Sequence, residues 1–398
     1  MRCFLQATLL LIVLTGTASA QSEKIPPRPD LGAAADTNDA TAYYDRGLDL
    51  IQRSPAKAAE AFYWAGQLNP ASPEAFYARR VALLMSKRHI LIDYWMGERR
   101  VMRDKDVIRA DSLYLRALTL NPFFSRKLDG VFFDAIIRQV AERAAGPRGN
   151  VSALEHDIEN YLLGAPASMK AWRAYGDGRF DQALEFYATA IKDARKKAAL
   201  RVERGRLLFQ LDRADSALTE FSLAAEEMRK SDKKDLVFVY ESKALVEHSL
   251  GLIHQRLGQT DAAREAFARA LQEDLSYGPA HVQLGFIALD AKDTTTAISE
   301  FDLAVQIAGD NPVLRYQYGF TLLETGKAAE AEEQLRKAIA LNPVYAAPHF
   351  SLAKAIAAQG RAAEAVAEFK TFLSLASRND MRRTEATQLL TALAGGGQ

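Results

Sequence analysis

Residues 312–345 read PVLRYQYGFTLLETGKAAEAEEQLRKAIALNPVY, and the reading of this stretch decides the fold. Residues 313–325 and 328–341 are helix-length runs, parted by Gly326 and followed by Asn342-Pro343. A glycine can end the first helix with a positive φ, and a proline cannot continue the second. The same 34-residue pattern starts at Ala244, Gly278 and Ala346. Slot 8 is small in every copy (Gly251, Gly285, Gly319, Ala353), and slot 20 is alanine (Ala263, Ala297, Ala331, Ala365). Slot 24 is large and apolar (Phe267, Phe301, Leu335, Phe369), and slot 27 holds Ala270, Ala304 and Ala338, then Phe372. Recurrence at a fixed step of this size marks stacked copies of one supersecondary unit. The small residues let two helix backbones approach closely while the slot-24 side chain fills the space beside them. One helix pair cannot bury its apolar face alone, so neighbours must stack.

Leu250-Gly251, Leu284-Gly285, the spacing of Ala331 to Leu335, Ala338 and Pro343 resemble the motif of the tetratricopeptide repeat (TPR) family. The resemblance implies an all-α fold, a right-handed α-solenoid of helix-turn-helix repeats with a concave ligand-binding face. It is specific for fold and says little about the ligand.

Working outward, the N-terminus has Arg2 ahead of an apolar run at residues 4–14, then Ala18-Ser19-Ala20 before Gln21. This reads as a signal peptide over residues 1–20 and makes the expected protein exported, to the periplasm or the exterior. The run is short for a membrane span, which takes about 20 residues. Cys3 is the one cysteine of the sequence, so the mature chain would form no disulfide and offer no thiol chemistry. The full chain has 51 basic and 50 acidic residues; losing Arg2 leaves 50 of each, a balance that speaks against a nucleic-acid or polybasic membrane binder. No later stretch is apolar enough to span a bilayer.

Residues 21–39 mix proline, glycine and polar residues and read as a flexible lead. Residues 40–163 read as TPR-like helical pairs. The first carries Tyr43, Gly47, Ala58, Phe62 and Ala65; the second, near Ser72-Pro73, is interrupted by an insertion at about residues 87–106. That insertion sets Tyr94, Trp95 and Met96 beside Arg99, Arg100 and Arg103, the composition of an interface core, although longer packed helices would also explain it. Residues 123–163 fit the repeat poorly: 130–145 reads as a helix, and Ser152-Ala153-Leu154-Glu155 as a capping box that opens another. Residues 164–379 return to the repeat, with copies starting at Gly164 and Ala198 and a 12-residue insertion at 232–243 that would lengthen the helix entering the Ala244 copy. Residues 380–398 read as a capping helix and tail.

Motifs for chemistry are missing. There is no H-E-x-x-H, G-x-S-x-G, P-loop or strand-borne dinucleotide fingerprint. Among the six histidines, His281 and His349 occupy slot 4, where repeat packing explains them, and His248 and His254 fall on different helix faces. No cofactor, metal or catalytic residue is expected. The Lys/Asn carboxylate clamp known from the family at slots 5 and 9 is absent: those slots hold Val202/Arg206, His248/Leu252, Val282/Phe286, Tyr316/Phe320 and Phe350/Lys354.

The informative surface lies on the first helices. Slots 4, 7, 8 and 11 form one face and slots 2, 5, 9 and 12 nearly the opposite one. The second should be polar in an ordinary amphipathic helix, yet it carries Val282, Phe286 and Leu289, then Tyr316, Phe320 and Leu323, then Phe350, with Tyr345 at slot 34. Adjacent first helices could bury these residues against each other, or the end helix could fold over them. Read as an open groove, they would take an apolar helix or extended peptide. The expected function is a non-catalytic scaffold binding a protein or peptide, of undetermined oligomeric state. The alternatives are an enzyme with an unrecognised site and a self-assembling rod.

Overall fold

The computed structural model describes residues 25–87, 91–95, 101–162, 164–230 and 242–395. The expected signal peptide and nearly all of the 232–243 insertion lie outside these residues. Among the described residues the chain is all-α, with no strand. In order, its helices are α1 (Ala40–Leu50), α2 (Pro55–Leu68), α3 (Pro73–Ser86), α4 (Leu91–Trp95), α5 (Lys105–Leu120), α6 (Leu128–Ala145), α7 (Val151–Leu162) and α8 (Ala167–Gly176). Then come α9 (Phe180–Asp193), α10 (Ala198–Gln210), α11 (Ala214–Lys230), α12 (Lys243–Arg256), α13 (Thr260–Glu273) and α14 (Gly278–Asp290). The last six are α15 (Thr294–Ile307), α16 (Pro312–Glu324), α17 (Ala328–Leu341), α18 (Ala346–Ala358), α19 (Ala362–Leu375) and α20 (Arg382–Gly395).

They form two compact units. Unit 1 holds Gly47–Tyr63 and Pro73–Gly258; unit 2 holds Asp30–Arg46, Trp64–Ser72 and Gln259–Gln398. In unit 1, α3 pairs with α5, α8 with α9 and α10 with α11, while α9 packs on α10 and α11 on α12. In unit 2, α14 pairs with α15, α16 with α17 and α18 with α19, and α13, α15, α17 and α19 each pack on the next helix along.

Side-chain volume at two slots sets how close the paired helices come. A Cβ on Gly285 would lie 2.9 Å from Phe301, and one on Gly319 2.7 Å from Leu335, so the slot-8 residue is small because the slot-24 side chain lies against its backbone. Slot 15 ends each first helix in the left-handed region. Gly178, Gly326 and Gly360 do so with φ of 76°, 80° and 78°, but Asp212 (58°) and Lys292 (61°) occupy the same slot with a Cβ. Slots 4 and 23 fasten the helices of a pair: Arg201 donates to Glu220 at 2.9 Å and Arg315 to Gln334 at 2.7 Å. His281 meets Glu300 at 2.7 Å and His349 meets Glu368 at 2.9 Å. Both histidines are thus structural partners of a carboxylate inside their own repeat.

Several boundaries differ from the sequence reading, each for a local reason. Helix α7 starts at Val151, because Asn150 accepts the Ala153 N–H at 3.1 Å and acts as the cap expected of Ser152. Helix α12 starts at Lys243, where Ser242 is extended and accepts the Leu245 N–H at 3.1 Å; the insertion residues expected to lengthen it lie outside the described residues. The 87–106 insertion contains α4 and a 3-10 turn at Val101–Arg103, and the Lys87–Asp106 ion pair at 2.6 Å bridges its ends. The lead is not free over its whole length. Asp36 accepts the Arg378 N–H at 2.5 Å, Asn38 donates to the Ser374 carbonyl at 2.8 Å, and the Arg378 guanidinium reaches the carbonyls of Ala34 and Ala35.

Candidate functional site

The apolar row expected on the first helices lies in unit 2. Val282, Phe286 and Leu289 of α14 and Tyr316 and Leu323 of α16 are partly buried against the core of Phe301, Leu314, Leu322 and Leu335. Phe320 stands further out, 43% exposed. Aromatic edges link the row: Phe286 meets Phe301 edge-on at 5.2 Å, and Tyr316 lies 6.2 Å from Phe320 and 5.5 Å from Tyr345. The helical period puts Phe350 on the same face, but its burial takes it out of the exposed row. Its ring is 6% exposed and packs between Phe369 and Phe372, at 6.0 and 5.2 Å, so it belongs to the core of the last repeat rather than to an open lining. Tyr345 is also buried, and burial, with Tyr316 alongside, raises its phenol pKa against the pull of Arg382.

Beside Tyr316 and Tyr345 the row runs into a cleft of about 370 Å³, whose wall includes Asn38, Asn69, Asp380 and Arg382. Arg382 is held by Asp380 through two hydrogen bonds, at 2.9 and 2.6 Å. Tyr94 and Trp95 fall on α4, but their side chains and the whole of Met96 lie outside the described residues.

Sequence reasoning missed a second constellation, in unit 1, where residues 121–127 leave α5 in a non-helical path with a turn at Pro122-Phe123. Phe123 stacks on Phe209 at 3.9 Å and meets Phe221 edge-on at 5.6 Å. Gln210 donates to the carbonyls of Phe123 and Phe124 at 3.0 and 2.8 Å. The Tyr175 hydroxyl donates to Gln210 at 3.0 Å and accepts the Arg126 N–H at 2.9 Å. The Arg126 guanidinium pairs with Glu203 and donates to Tyr114 at 3.1 Å. Glu203 also accepts from Arg206 at 2.6 Å. Burial works to raise the Glu203 pKa, but Arg126 and Arg206 hold it below the usual range. Asp129 accepts from the Tyr77 hydroxyl and, at 3.0 Å, from the Trp172 N–H; burial, with Glu203 nearby, pushes it well above the carboxylate range. The one signal available beforehand was Arg206 in a slot that is apolar in the next three copies (Leu252, Phe286, Phe320).

Among the described residues no group of three or more metal-ligating side chains occurs, and no helix is long and apolar enough to cross a membrane.

A sequence model of the tetratricopeptide repeat matches residues 168–232, 248–312 and 321–380, and a second model of the repeat matches residues 288–347. The chain carries tetratricopeptide repeats. No curated protein matches it. Among solved structures it is similar to YrrB, described as a TPR protein with an unusual peptide-binding site (17% identity over 53% of this chain and 99% of that one, TM-score 0.41). It is also similar to yeast Tom70 (14% identity, 90% and 89% covered, TM-score 0.45) and to the APC/C hetero-tetramer Cut9–Hcn1 (15%, 94% and 79%, TM-score 0.42). At these identities the likeness is one of fold. The TPR copies recognised by the models lie in both units, and the apolar row falls inside the matched residues.

Proposed function

We propose that this TPR chain is a non-catalytic interaction scaffold of an exported compartment, periplasmic or secreted, binding an apolar peptide or partner protein along the first helices of unit 2. The observation that carries the reading is the row on α14 and α16. Phe286, Tyr316, Leu323 and the 43%-exposed Phe320 keep apolar surface in water on the face that repeats of this family offer to ligands. Such a row suits an extended or helical peptide with apolar anchors. The adjoining cleft, with Asn38, Asn69 and Arg382, would take a polar end of that ligand. Export rests on Arg2, the apolar run and Ala18-Ser19-Ala20; sequencing the protein recovered from the cell envelope should find Gln21 first, and finding Met1 would refute that part.

Binding is tested by selecting peptides from a random displayed library on the full chain and measuring the winners against Tyr316→Ala/Phe320→Ala. The reading expects an apolar consensus and at least tenfold weaker binding to the variant, the loss of about 1.4 kcal/mol, with the melting temperature kept. Peptides bound equally by both proteins would sink it.

A further inference from the structure

Unit 1 contains a worked example of peptide recognition, with the chain itself as the ligand. Residues 121–127 lie outside any helix; Asn121 closes a turn on the N–H groups of Phe123 and Phe124, and other backbone groups are answered by side chains distant in sequence. Gln210 takes two successive carbonyls and Tyr175 takes the Arg126 N–H. Phe123 fills an aromatic slot formed by Phe209 and Phe221, and Arg126 ends on Glu203. Main-chain hydrogen bonds for affinity and side-chain anchors for specificity are how a bound peptide is held. The receiving positions also match the receiving face. Tyr175 and Phe209 are slot 12 of their copies and Arg206 is slot 9, in register with the apolar row of unit 2.

Two features separate this arrangement from ordinary loop packing. The hydrogen bonds to Tyr175, Glu203 and Gln210 span 49 to 87 residues of sequence, so they belong to a groove and not to the turn. In addition, Arg206 is 5% exposed while its Nε and Nη2 have no acceptor among the described residues. A buried donor left unanswered is costly, so the site has recognition capacity that its present occupant does not use.

We propose that the α8 and α10 face of unit 1 is a binding site for a non-helical peptide that turns at an aromatic residue and carries an arginine three positions later, kept closed in the free protein by the chain's own residues 121–127. The tether gives the internal segment an effective concentration of about millimolar. A free peptide of the same chemistry therefore competes poorly until the internal anchors are weakened. The site deepens the scaffold reading above, and because its residues all lie in unit 1, its test is independent of the unit 2 row.

The probe is the capped, fluorescently labelled peptide Asn-Pro-Phe-Phe-Ser-Arg-Lys, titrated into the full chain by anisotropy. Phe123→Ser/Arg126→Ser, which empties the two anchor positions, should bind it at least tenfold more tightly than the wild type. Adding Gln210→Ala to that variant should abolish the gain. A folded double variant that binds no better than the wild type, or a gain that survives Gln210→Ala, makes the segment a structural plug only and overturns the proposal. If the double variant fails to fold, hydrogen exchange on the wild type decides. Millimolar unlabelled peptide should speed exchange of the amides at 121–127, and unchanged exchange there overturns the proposal.

Discussion

Phe320 and Phe350 fall on the same face of successive first helices, yet truncating them should have opposite consequences. Phe350 is 6% exposed and touches Phe369 and Phe372, so Phe350→Ala leaves a cavity between two rings. Changes of this kind cost about 3–5 kcal/mol. Phe320 is 43% exposed, so roughly half of the ~1.5–3 kcal/mol for full burial of such a side chain is at stake. Alanine's better helix propensity returns up to about 0.7 kcal/mol of that. The net cost of Phe320→Ala is therefore below about 1 kcal/mol. For a unit of this size each kcal/mol shifts the melting temperature by ~2–4 °C, which places Phe350→Ala roughly 6–20 °C below the wild type and Phe320→Ala within about 4 °C of it. Stacked repeats need not unfold in one step, so midpoints from calorimetry, rather than extrapolated free energies, are the quantities to compare. Equal losses, or a larger loss for Phe320→Ala, would refute both the packing assigned to α18 and the exposure on which the binding reading stands.

In unit 1, Gly130→Ala should destabilise by about 1–3 kcal/mol, because its Cβ would lie 2.6 Å from the Gly176 carbonyl oxygen, where no side chain can yield; an unchanged unfolding midpoint would mean α6 and α8 do not approach this closely. Lys292→Gly should stabilise unit 2 by about 0.5–1 kcal/mol, since it relieves a φ of 61° that disfavours any Cβ, and calorimetry against Gly326→Ala, which should do the reverse, checks the sign. Burial pushes the His248 pKa down to about 3 from 6.5. The unfolded chain then takes up a proton that the folded chain refuses, so this group costs no stability above pH 6.5 and destabilises progressively as pH falls towards 3. Compared with His248→Gln, the wild type should lose about 1.4 kcal/mol per pH unit across that window in urea titrations, and parallel profiles would refute the buried neutral imidazole.

The repeat was legible because its cause is local and recurs. Gly285 against Phe301 and Gly319 against Leu335 are the same steric requirement met one step of 34 apart, so the requirement leaves a periodic trace. The turn at slot 15 is less visible, since Asp212 and Lys292 adopt the glycine conformation and the turn survives without its marker residue. The exposure of the row was out of reach. Period fixes which side of a helix a residue occupies, but not what the neighbouring element covers. Phe320 and Phe350 share a face by period and differ because the core of the last repeat closes around Phe350, with Leu389, Leu390 and Leu393 of α20 packed against it.

The remaining misses share one physical origin. The lead at residues 30–39 and the segment at 121–127 both lack helical periodicity, and absence of periodicity reads as looseness. Yet each non-helical backbone must still find partners for its N–H and C=O groups. Here the partners are side chains far along the chain: Arg378 for the carbonyls of Ala34 and Ala35, and Gln210 for those of Phe123 and Phe124. An arginine or glutamine on a helix looks like any solvated side chain until the strand of backbone it serves is in place. Repeat proteins make this error easy, because their regular part is so readable that the irregular part is taken for connection. Residues 121–127 show that a first-helix face of these repeats can hold a non-helical backbone by its carbonyls. The apolar row of unit 2, with Phe320 standing out from it, has the anchors for a ligand and no segment of comparable chemistry upon it among the described residues.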